Sequence, residues 1–420
     1  MSENIENCQT KCNSKVKLGF IGLSGRGRSL LGTVLAMEDV DVPAVCELYE
    51  DRLQMGIDQV EASGREKPEG YKDYRKLFER NDIDGVIIAT SWTAHAEIAI
   101  AAMKAGKYVG TEVGGATSIQ ECWDLVKTSE ETGMPCMMLE NCNYGRTEMA
   151  ILNMVKKNLL GELIHCQCGY EHDLRQEVAC GIENRHYRIH NYLNRNGDVY
   201  PTHGLGPMAK CLNINKGNRF INLTSMSSKS RGINEWVKEN KGEDHPFAKV
   251  NFALGDIVTT LIKCAHGETI LIIHDTSLPR PYSRAGRVQG TKGIWMEDNK
   301  SIYIQGRSPE HTWEPFEDYL KEYEHPLWKE YLDLGVRGGH GGMDYLALRA
   351  YIESIKAKTD TPIDIYDTAT WMAVTALSEQ SVATGSSAVA FPDFTNGKWI
   401  DRKPGLPSKY SLENVYEDLF

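Results

Sequence analysis

The sequence of 420 residues contains no long hydrophobic run and no block of like charges. Because no stretch of 18 or more residues is wholly apolar, neither a transmembrane helix nor a membrane partner is expected. The formal net charge is −11 and the lysines and arginines are dispersed, so the sequence offers no clustered basic face for a nucleic acid. Internal repeats and low-complexity linkers are also absent. What remains is a globular chain with a length typical of two or three domains.

The eleven cysteines form neither a C-x-x-C pair nor the compact framework of a small disulfide-rich domain. This pattern favours reduced thiols in a cytoplasm, and no metal site is predicted. The N-terminal residues are polar and lack the apolar core of a signal peptide, which also fits a cytoplasmic location. We expect residues 1–15, with Cys8 and Cys12, to form a flexible tail.

A glycine cluster follows the first predicted strand. The stretch VKLGFIGLSGRGRSLLGTVLAM predicts a strand, a turn and a helix. On the G-x-G-x-x-G pattern of dinucleotide-binding folds, Gly22 takes the first position, Ser24 the second and Gly27 the third, and Gly25 could supply the freedom that Ser24 lacks. A second predicted strand ends at Glu47, whose carboxylate could accept hydrogen bonds from ribose hydroxyls and favour NAD over NADP. The alternative for Glu47 is a solvated carboxylate at a strand end.

Strands and helices then alternate up to about residue 142. GVIIAT, KYVGTEV and PCMMLEN predict strands, and HAEIAIAAMKAG and SIQECWDLVKTSEETG predict helices. This alternation predicts an N-terminal Rossmann domain over residues 16–142, with a doubly wound parallel sheet that binds NAD beyond the carboxyl ends of its strands. The residues assigned to NAD binding are Gly22, Gly25, Arg26, Gly27, Glu47, Trp92, His95, Glu112, Val113 and Asn141. The alternative for each of the last five, taken alone, is a role in packing or helix capping.

Residues 143–420 show a different pattern. Long alternating runs such as ELIHCQCGYEH, DIVTTLIKCAHGETILIIHD and GRVQGTKGIWME predict strands joined by hairpins. NYGRTEMAILNMVKKNLLG and YDTATWMAVTALSEQSVATG predict helices near the two ends. We therefore predict an α/β protein whose Rossmann domain is followed by an α+β substrate-binding domain with a large open antiparallel sheet.

The stretch VRGGHGGMDY places His340 between two pairs of glycines. Glycine costs backbone entropy in a regular element, so something is expected to approach the backbone closely there. One interpretation is a catalytic imidazole that a bulky ligand can reach. The other is a structural histidine in a glycine turn, and the residues alone leave both open.

Several segments resemble the glucose–fructose oxidoreductase and inositol dehydrogenase superfamily (Gfo/Idh/MocA). They are YKDYRKLFE, DIDGVIIAT…HAEIAIAAMKAGKYV and ALSEQSVATGSS. Dehydrogenases of that superfamily carry a Glu-Lys-Pro triplet whose lysine lies near the sugar hydroxyl that is oxidised. Here the triplet reads Glu112-Val113-Gly114, and the absent lysine argues against a simple sugar dehydrogenase.

A narrower resemblance covers roughly residues 16 to 400. TEVGGA, NCNYGR, GELIHCQCGYEHDLR, YLNRNGDVYPTHGLGP, RPYSRAGRVQGTKG and GGHGGMDY are similar to the NAD-dependent α-N-acetylgalactosaminidase family. The resemblance implies a glycoside hydrolase that does not use the usual pair of carboxylates. A tightly bound NAD would oxidise the sugar at C3, loss of the C2 proton would expel the C1 aglycone, and water addition and re-reduction would regenerate NAD.

The same resemblance implies roles for individual residues. His340 would be the general acid for the leaving group and the base for the returning water. His203 would be the base at the C3 hydroxyl, and Tyr170 or Tyr200 would remove the C2 proton. The alternative for each tyrosine is packing in the sheet with its hydroxyl satisfied. The residues expected to bind the sugar are Tyr170, His172, Arg188, Tyr200, Pro201, Thr202, His203 and Tyr282.

The expected partner is a small-molecule glycoside or glycan, and the exposed open sheets of the superfamily lead us to expect a homo-oligomer. Two other functions stay open. An NAD(P)-dependent sugar or inositol dehydrogenase would make NADH in proportion to product, and a non-catalytic sensor would bind sugar and dinucleotide and turn over neither. The absent lysine argues against the first, and the set of His, Tyr and Arg motifs against the second.

Overall fold

The computed structural model describes residues 15–420, so the predicted tail with Cys8 and Cys12 lies outside the described residues except for Lys15. The strands are β1 Val16–Ile21, β2 Val40–Cys46, β3 Glu69–Tyr71, β4 Gly85–Ile88, β5 Tyr108–Thr111, β6 Cys136–Met138, β7 Leu163–Glu171, β8 Phe220–Ser227, β9 Ile257–Cys264, β10 Thr269–Asp275, β11 Arg287–Gly290, β12 Gly293–Met296, β13 Ser301–Ile304, β14 Glu314–Pro315 and β15 Val389–Ala390. The α-helices are α1 Gly25–Leu35, α2 Glu50–Ala62, α3 Tyr74–Phe78, α4 Trp92–Lys104, α5 Ile119–Thr132, α6 Arg146–Lys156, α7 Arg175–Ala179, α8 Arg188–Asn194, α9 Thr202–Cys211, α10 Gly232–Lys241, α11 Phe316–Glu322, α12 Pro326–Leu334, α13 Met343–Ala357 and α14 Ile365–Ala383.

The chain forms two compact units, each discontinuous in sequence. Unit 1 runs up to Gly115 and continues with Asp124–Tyr144 and Leu334–Thr368. Unit 2 comprises Ala116–Trp123, Gly145–Asp333 and Ala369–Phe420. The prediction of two consecutive domains, 16–142 and 143–420, did not anticipate that Leu334–Thr368, with His340, belongs to unit 1.

Unit 1 is built on a six-stranded sheet with the order β3-β2-β1-β4-β5-β6. All of its pairs are parallel. The central strand β4, GVII, is buried at every position, as expected where helices cover both faces of a parallel sheet. This order places the point where the strand sequence reverses between β1 and β4, which is where doubly wound sheets bind ligands. The predicted Rossmann sheet is confirmed.

Helix α13 brings the late segment of the chain onto this sheet. The Tyr351 hydroxyl reaches the carbonyl oxygens of Val86 and Tyr108, on β4 and β5, at 3.0 and 2.9 Å. A hydroxyl has one proton, so the two acceptors share it. Burial raises the pKa of Tyr351 well above its ordinary value, so the phenol keeps that proton and can donate it. The first turn of α13, with Asp344, is thereby fixed relative to the sheet.

Unit 2 contains a nine-stranded sheet with the order β14-β13-β12-β11-β7-β10-β9-β8-β15. Its hairpins β9–β10 and β12–β13, which are joined by turns in CAHGET and MEDNKS, are antiparallel. The central pair β7–β10 is parallel, so the sheet is mixed and not purely antiparallel. Met226 on β8 and Leu261 on β9 leave apolar side chains exposed. Among residues 15–420, no helix combines the length and apolar character needed to cross a bilayer.

Candidate active site

The glycine loop of unit 1 has the geometry that a dinucleotide requires. Gly22 has a φ of +91°, in the left-handed region that glycine favours. A Cβ at Gly27 would lie 1.9 Å from the Gly22 carbonyl oxygen, so only glycine lets α1 start this close to β1. A Cβ at Gly25 would project into open space, and Ser24 lies just before the helix N-terminus. The loop thus leaves room at the positive end of α1, where a pyrophosphate is favoured.

Glu47 follows β2 and supports this loop. One carboxylate oxygen accepts a hydrogen bond from the Leu23 backbone N–H at 2.8 Å, and the other from the Tyr49 N–H at 3.2 Å. Its side chain is largely buried. Each carboxylate oxygen has a second lone pair, so these bonds leave acceptor capacity for ribose hydroxyls. The predicted ribose contact remains a prediction that this placement favours.

His95, a predicted NAD contact, is buried in the structure. It lies inside α4, is 1% exposed, and its Nε2 contacts the Thr90 carbonyl at 3.0 Å. Burial lowers the pKa of His95 to about 4, so the ring is neutral at neutral pH. The helical phase turns this ring inward beneath the β4–α4 loop, which favours support of the loop over direct contact with NAD. Trp92 and Val113 are also buried.

Arg26 links the glycine loop to α13. Its Nε donates to Glu112 Oε1 at 2.9 Å, and its two terminal nitrogens donate to the two Asp344 oxygens at 2.8 and 3.0 Å. Asn141 donates to Asp344 Oδ1 at 2.7 Å. Burial would lower the pKa of Arg26, but Glu112 and Asp344 raise it far above its ordinary value. Asp344 is therefore a fully buried carboxylate at the centre of a charged network.

His340 is the exposed member of this network, with 57% of its side chain accessible. Its Nδ1 lies 2.8 Å from Asp344 Oδ2 and 3.3 Å from an Arg26 nitrogen. Burial would raise the pKa of Asp344, but hydrogen bonds from His340 and Arg26 hold it well below its usual range. An ionised carboxylate cannot donate, so Nδ1 carries the proton that joins the two groups. The Arg26 contact at 3.3 Å is then not a hydrogen bond, since both atoms are donors.

The glycines around His340 are required by the backbone conformation of this turn. Gly338, Gly341 and Gly342 have φ values of +78°, +64° and +98°, and His340 itself has +50°. A Cβ at Gly339 would lie 2.7 Å from Asp344 Oδ2. Left-handed backbone and close approach to Asp344 thus account for the four glycines, where the sequence suggested space for a ligand.

Unit 2 brings together the predicted sugar-facing aromatic residues. The rings of Tyr170, at the end of β7, and Tyr200, before α9, lie 4.4 Å apart. The His203 ring lies 4.9 Å from that of Tyr200 and 5.4 Å from that of Tyr170. The Tyr170 hydroxyl lies 3.0 Å from Nδ1 of His172. Burial, and then the nearby Arg188 cation, lower the pKa of His172.

Arg188 and Tyr282 border this cluster. The Arg188 guanidinium carbon lies 4.9 Å from the ring centre of Tyr200 and 5.9 Å from that of Tyr170. Burial would lower the pKa of Arg188, but the neighbouring tyrosines and Glu177 raise it well above its ordinary value. The Tyr282 ring is half exposed and lies 5.1 Å from that of His172. Partly buried arginines on either side of Tyr282 form ion pairs with buried carboxylates, Arg280 with Glu171 and Asp275 and Arg284 with Glu148.

Helix α9 begins at Thr202, directly after Pro201, whose fixed φ suits the start of a helix. A Cβ at Gly204 would lie 2.6 Å from the Gly169 nitrogen, so this glycine lets α9 press against β7. That contact sets Tyr200 and His203 beside Tyr170. Both Pro201 and Thr202 are buried.

Sequence reasoning missed three buried titratable residues. Asp344 lies four positions after His340, inside the quoted stretch, and this spacing was the available signal. Asp198 is fully buried, and burial raises its pKa to about 7 while its carboxylate accepts the Tyr200 N–H at 3.2 Å. His274 pairs with Tyr170 in register across β10 and β7, and burial lowers its pKa to about 3. No local sequence pattern indicated that Asp198 and His274 are buried beside the cluster.

Unit 1 carries a glycine loop of the dinucleotide-binding type on a parallel sheet, and unit 2 carries a cluster of Tyr, His and Arg on a mixed sheet. These features define an enzyme that combines an NAD-binding unit with a unit that binds a polar ligand. Comparison with known families is consistent with this. Residues 16–140 match "Oxidoreductase family, NAD-binding Rossmann fold", and residues 144–401 match "Glycosyl hydrolase 109, C-terminal domain". The chain belongs to glycosyl hydrolase family 109. The family resemblance drawn from the motifs is confirmed, and the protein is a glycosidase that carries an NAD-binding domain.

Similar proteins cover nearly the whole chain. A glycosyl hydrolase family 109 protein of Stenotrophomonas maltophilia is 48% identical over 93% of this chain and 91% of its own length. An alpha-N-acetylgalactosaminidase of Tannerella forsythia is 43% identical over 94% of this chain and 90% of its own. Levoglucosan dehydrogenase in complex with NADH and L-sorbose has a TM-score of 0.70 at 19% identity, covering 91% of this chain and 100% of that one. An NAD-binding oxidoreductase of Klebsiella pneumoniae has a TM-score of 0.70 at 15% identity, covering 90% and 99%, so both structures show a shared fold.

Proposed function

We propose that this enzyme removes a terminal α-linked N-acetylgalactosamine from glycosides, with NAD held tightly and returned to its starting state in every turnover. One observation carries the proposal: the side chains assigned to the sugar, Tyr170, His172, Arg188, Tyr200, His203 and Tyr282, meet in one cluster of unit 2. The name of the Tannerella forsythia relative supports the choice of sugar.

The residues of unit 1 fit NAD. The left-handed turn at Gly22, the contact that only glycine permits at Gly27 and the open space at Gly25 would admit a pyrophosphate at the start of α1. Glu47 would hold the ribose, and the ends of β4 and β5 would border the nicotinamide. When bound, NAD supplies a reversible oxidation of the sugar at C3.

The protein would move three protons around the sugar. His203 would accept the proton of the C3 hydroxyl. A C3 ketone makes the C2 proton acidic, and Tyr170 or Tyr200, as tyrosinate, would accept it. Arg188 supports this role because its cation lies near both rings and favours a negative oxygen on either.

His340 would complete the exchange at C1. As the C1–oxygen bond breaks, the imidazolium would give its proton to the leaving oxygen. When water adds to C1, the neutral imidazole would take a proton from it, so the sum is hydrolysis and the acid is restored.

The proposal is tested with nitrophenyl α-N-acetylgalactosaminide, followed for nitrophenol release and NADH absorbance together. We expect nitrophenol without net NADH, and, in D2O, one deuterium at C2 of the released sugar, because the C2 proton exchanges with solvent. NADH that accumulates with a free sugar, with no aglycone released from any glycoside, would instead indicate a dehydrogenase. Release without deuterium at C2 would refute the elimination route.

His340→Ala tests the acid role. We expect loss of roughly 10²–10⁴-fold with alkyl glycosides, whose leaving oxygen needs a proton, and little loss with dinitrophenyl glycosides. His311→Ala is the matched control, since His311 is also exposed and has a φ of +57°. Equal loss on both substrates in His340→Ala would contradict the acid role.

A further inference from the structure

We propose that Asp344 is the positioning residue of His340: it fixes which ring nitrogen carries the proton and balances the imidazolium charge, so that Nε2 exchanges the proton with the glycosidic oxygen. This inference rests on the proposed function for the identity of the reaction. The position of the proton on the ring can be measured without any substrate.

The hydrogen bonds to Asp344 hold its carboxylate, and with it the His340 ring, in one orientation. Oδ1 accepts from Asn141 at 2.7 Å and from Arg26 at 3.0 Å. Oδ2 accepts from Arg26 at 2.8 Å and from His340 at 2.8 Å. With four donors converging on two oxygens, the carboxylate cannot rotate without losing bonds. A hydrogen bond to a fixed carboxylate in turn fixes both the tautomer and the orientation of an imidazole.

The charged groups around His340 are of both signs. Facing His340 are Asp344 from α13 and Arg26 from α1, and Arg26 is paired with Glu112 after β5. Arg26 supplies one positive charge against the two carboxylates, so an imidazolium at His340 would balance the charges of the four groups. The Asp344 carboxylate is buried, where an ion pair interacts more strongly than in water. The N-terminal turn of α13 also favours a carboxylate at this position.

The backbone keeps the pair together. His340 precedes α13 and has a φ of +50°, and the glycines on both sides let the chain turn back so that Nδ1 reaches Oδ2. Tyr351 fixes α13 on the sheet two turns further along. The side chain of Asp344 is 0% exposed while that of His340 is largely open, which is the arrangement expected of an orienting group and a reacting group.

The first experiment is NMR on protein labelled at histidine, with His340→Ala used to assign the His340 signals. In the wild type we expect the neutral ring to carry its proton on Nδ1 and to leave Nε2 unprotonated. In Asp344→Asn, the amide and Arg26 can both donate to Nδ1, so the proton should move largely to Nε2. The same nitrogen signature in both proteins would overturn the proposal.

The second experiment compares leaving groups. We expect Asp344→Asn to slow alkyl glycosides by at least about tenfold, within the roughly 10²–10⁴ range of general acids, and to spare dinitrophenyl glycosides. In the pH profile of activity, the alkaline limb of Asp344→Asn should lie at lower pH than that of the wild type. Asp344→Glu keeps the charge, so its alkaline limb should lie between the two. The double variant with His340→Ala should be no slower than His340→Ala alone.

Controls separate the possible outcomes. Asp367→Asn removes another buried aspartate, in the first turn of α14, and should leave the dependence of the rate on the leaving group unchanged. The NAD content of every variant is measured, because Arg26 also borders the glycine loop. If the wild type releases no aglycone, the proposed function fails while the NMR result still decides the role of Asp344. If the wild type is active and Asp344→Asn matches it in pH profile and leaving-group dependence, the positioning role is refuted.

Discussion

Gly204→Ala is the substitution that most directly tests how unit 2 assembles its cluster. The new Cβ would lie 2.6 Å from the Gly169 nitrogen, 2.7 Å from the Cys168 Cβ and 2.8 Å from the Gly169 oxygen, so α9 must shift away from β7. Overpacking of this kind costs about 1–3 kcal/mol or more. Alanine gains about 1 kcal/mol over glycine inside a helix. We therefore expect a net loss of up to about 2 kcal/mol in the free energy of unfolding.

The assay is chemical unfolding followed by tyrosine and tryptophan fluorescence, with the KM for the nitrophenyl glycoside measured alongside. Because Tyr200 and His203 flank the start of α9, KM should rise as they move from Tyr170. Gly32→Ala in α1 is the matched control, since its Cβ would meet only the Gln59 side-chain nitrogen at 3.1 Å and should gain stability. If Gly204→Ala is stabilised like Gly32→Ala and keeps its KM, the close packing of α9 on β7 does not position the cluster.

Three further predictions concern single contacts. Tyr351→Phe removes the donor shared by two buried carbonyls and should cost about 1–3 kcal/mol in unfolding, while Tyr303→Phe, at a partly exposed position, should cost less. Glu47→Ala should raise the Kd for NAD by roughly ten- to a hundredfold in calorimetry on NAD-stripped protein, and unchanged affinity would remove Glu47 from the ribose site. His274 has its folded pKa lowered to about 3, so below about pH 6.5 the unfolded chain binds a proton that the folded chain does not. Stability should thus fall by up to about 1.4 kcal/mol per pH unit between pH 6.5 and 3, and His274→Leu should flatten this slope in unfolding curves measured across pH.

Local patterns in the sequence were enough to predict the parallel sheet of unit 1. Gly22 and Gly27 mark the turn, and the apolar runs between them and Asn141 have the lengths of buried strands. It was harder to predict from the sequence which face of a helix each residue occupies. His95 follows a strand end, where ligands bind, yet its position within α4 points the ring inward.

Contacts between distant segments were not predicted, since alternation along a strand indicates its faces and not its partner. The parallel pairing of Ile270 with Cys166 joins residues more than a hundred positions apart, and no turn specifies its direction. That Leu334–Thr368 belongs to unit 1 was not predicted for the same reason, since it depends on contacts between distant segments. The amphipathic pattern of α13 shows that one face is buried without showing what covers it. Asp344 was overlooked because an acidic residue in a first helical turn is common on electrostatic grounds alone.

The charged network around Asp344 also bears on the missing lysine of the Glu112-Val113-Gly114 triplet. A cation is present near this strand end, because Arg26 donates to Glu112 from the glycine loop. It cannot replace a lysine in proton transfer, since its pKa lies far above the ordinary value and its donors already serve two carboxylates. Asp344 cannot donate either, because its pKa is held well below its usual range. Within this network the side chain of His340 is the one that is largely exposed, and an imidazole can both give and accept a proton, which is why the proposed proton exchange is assigned to His340.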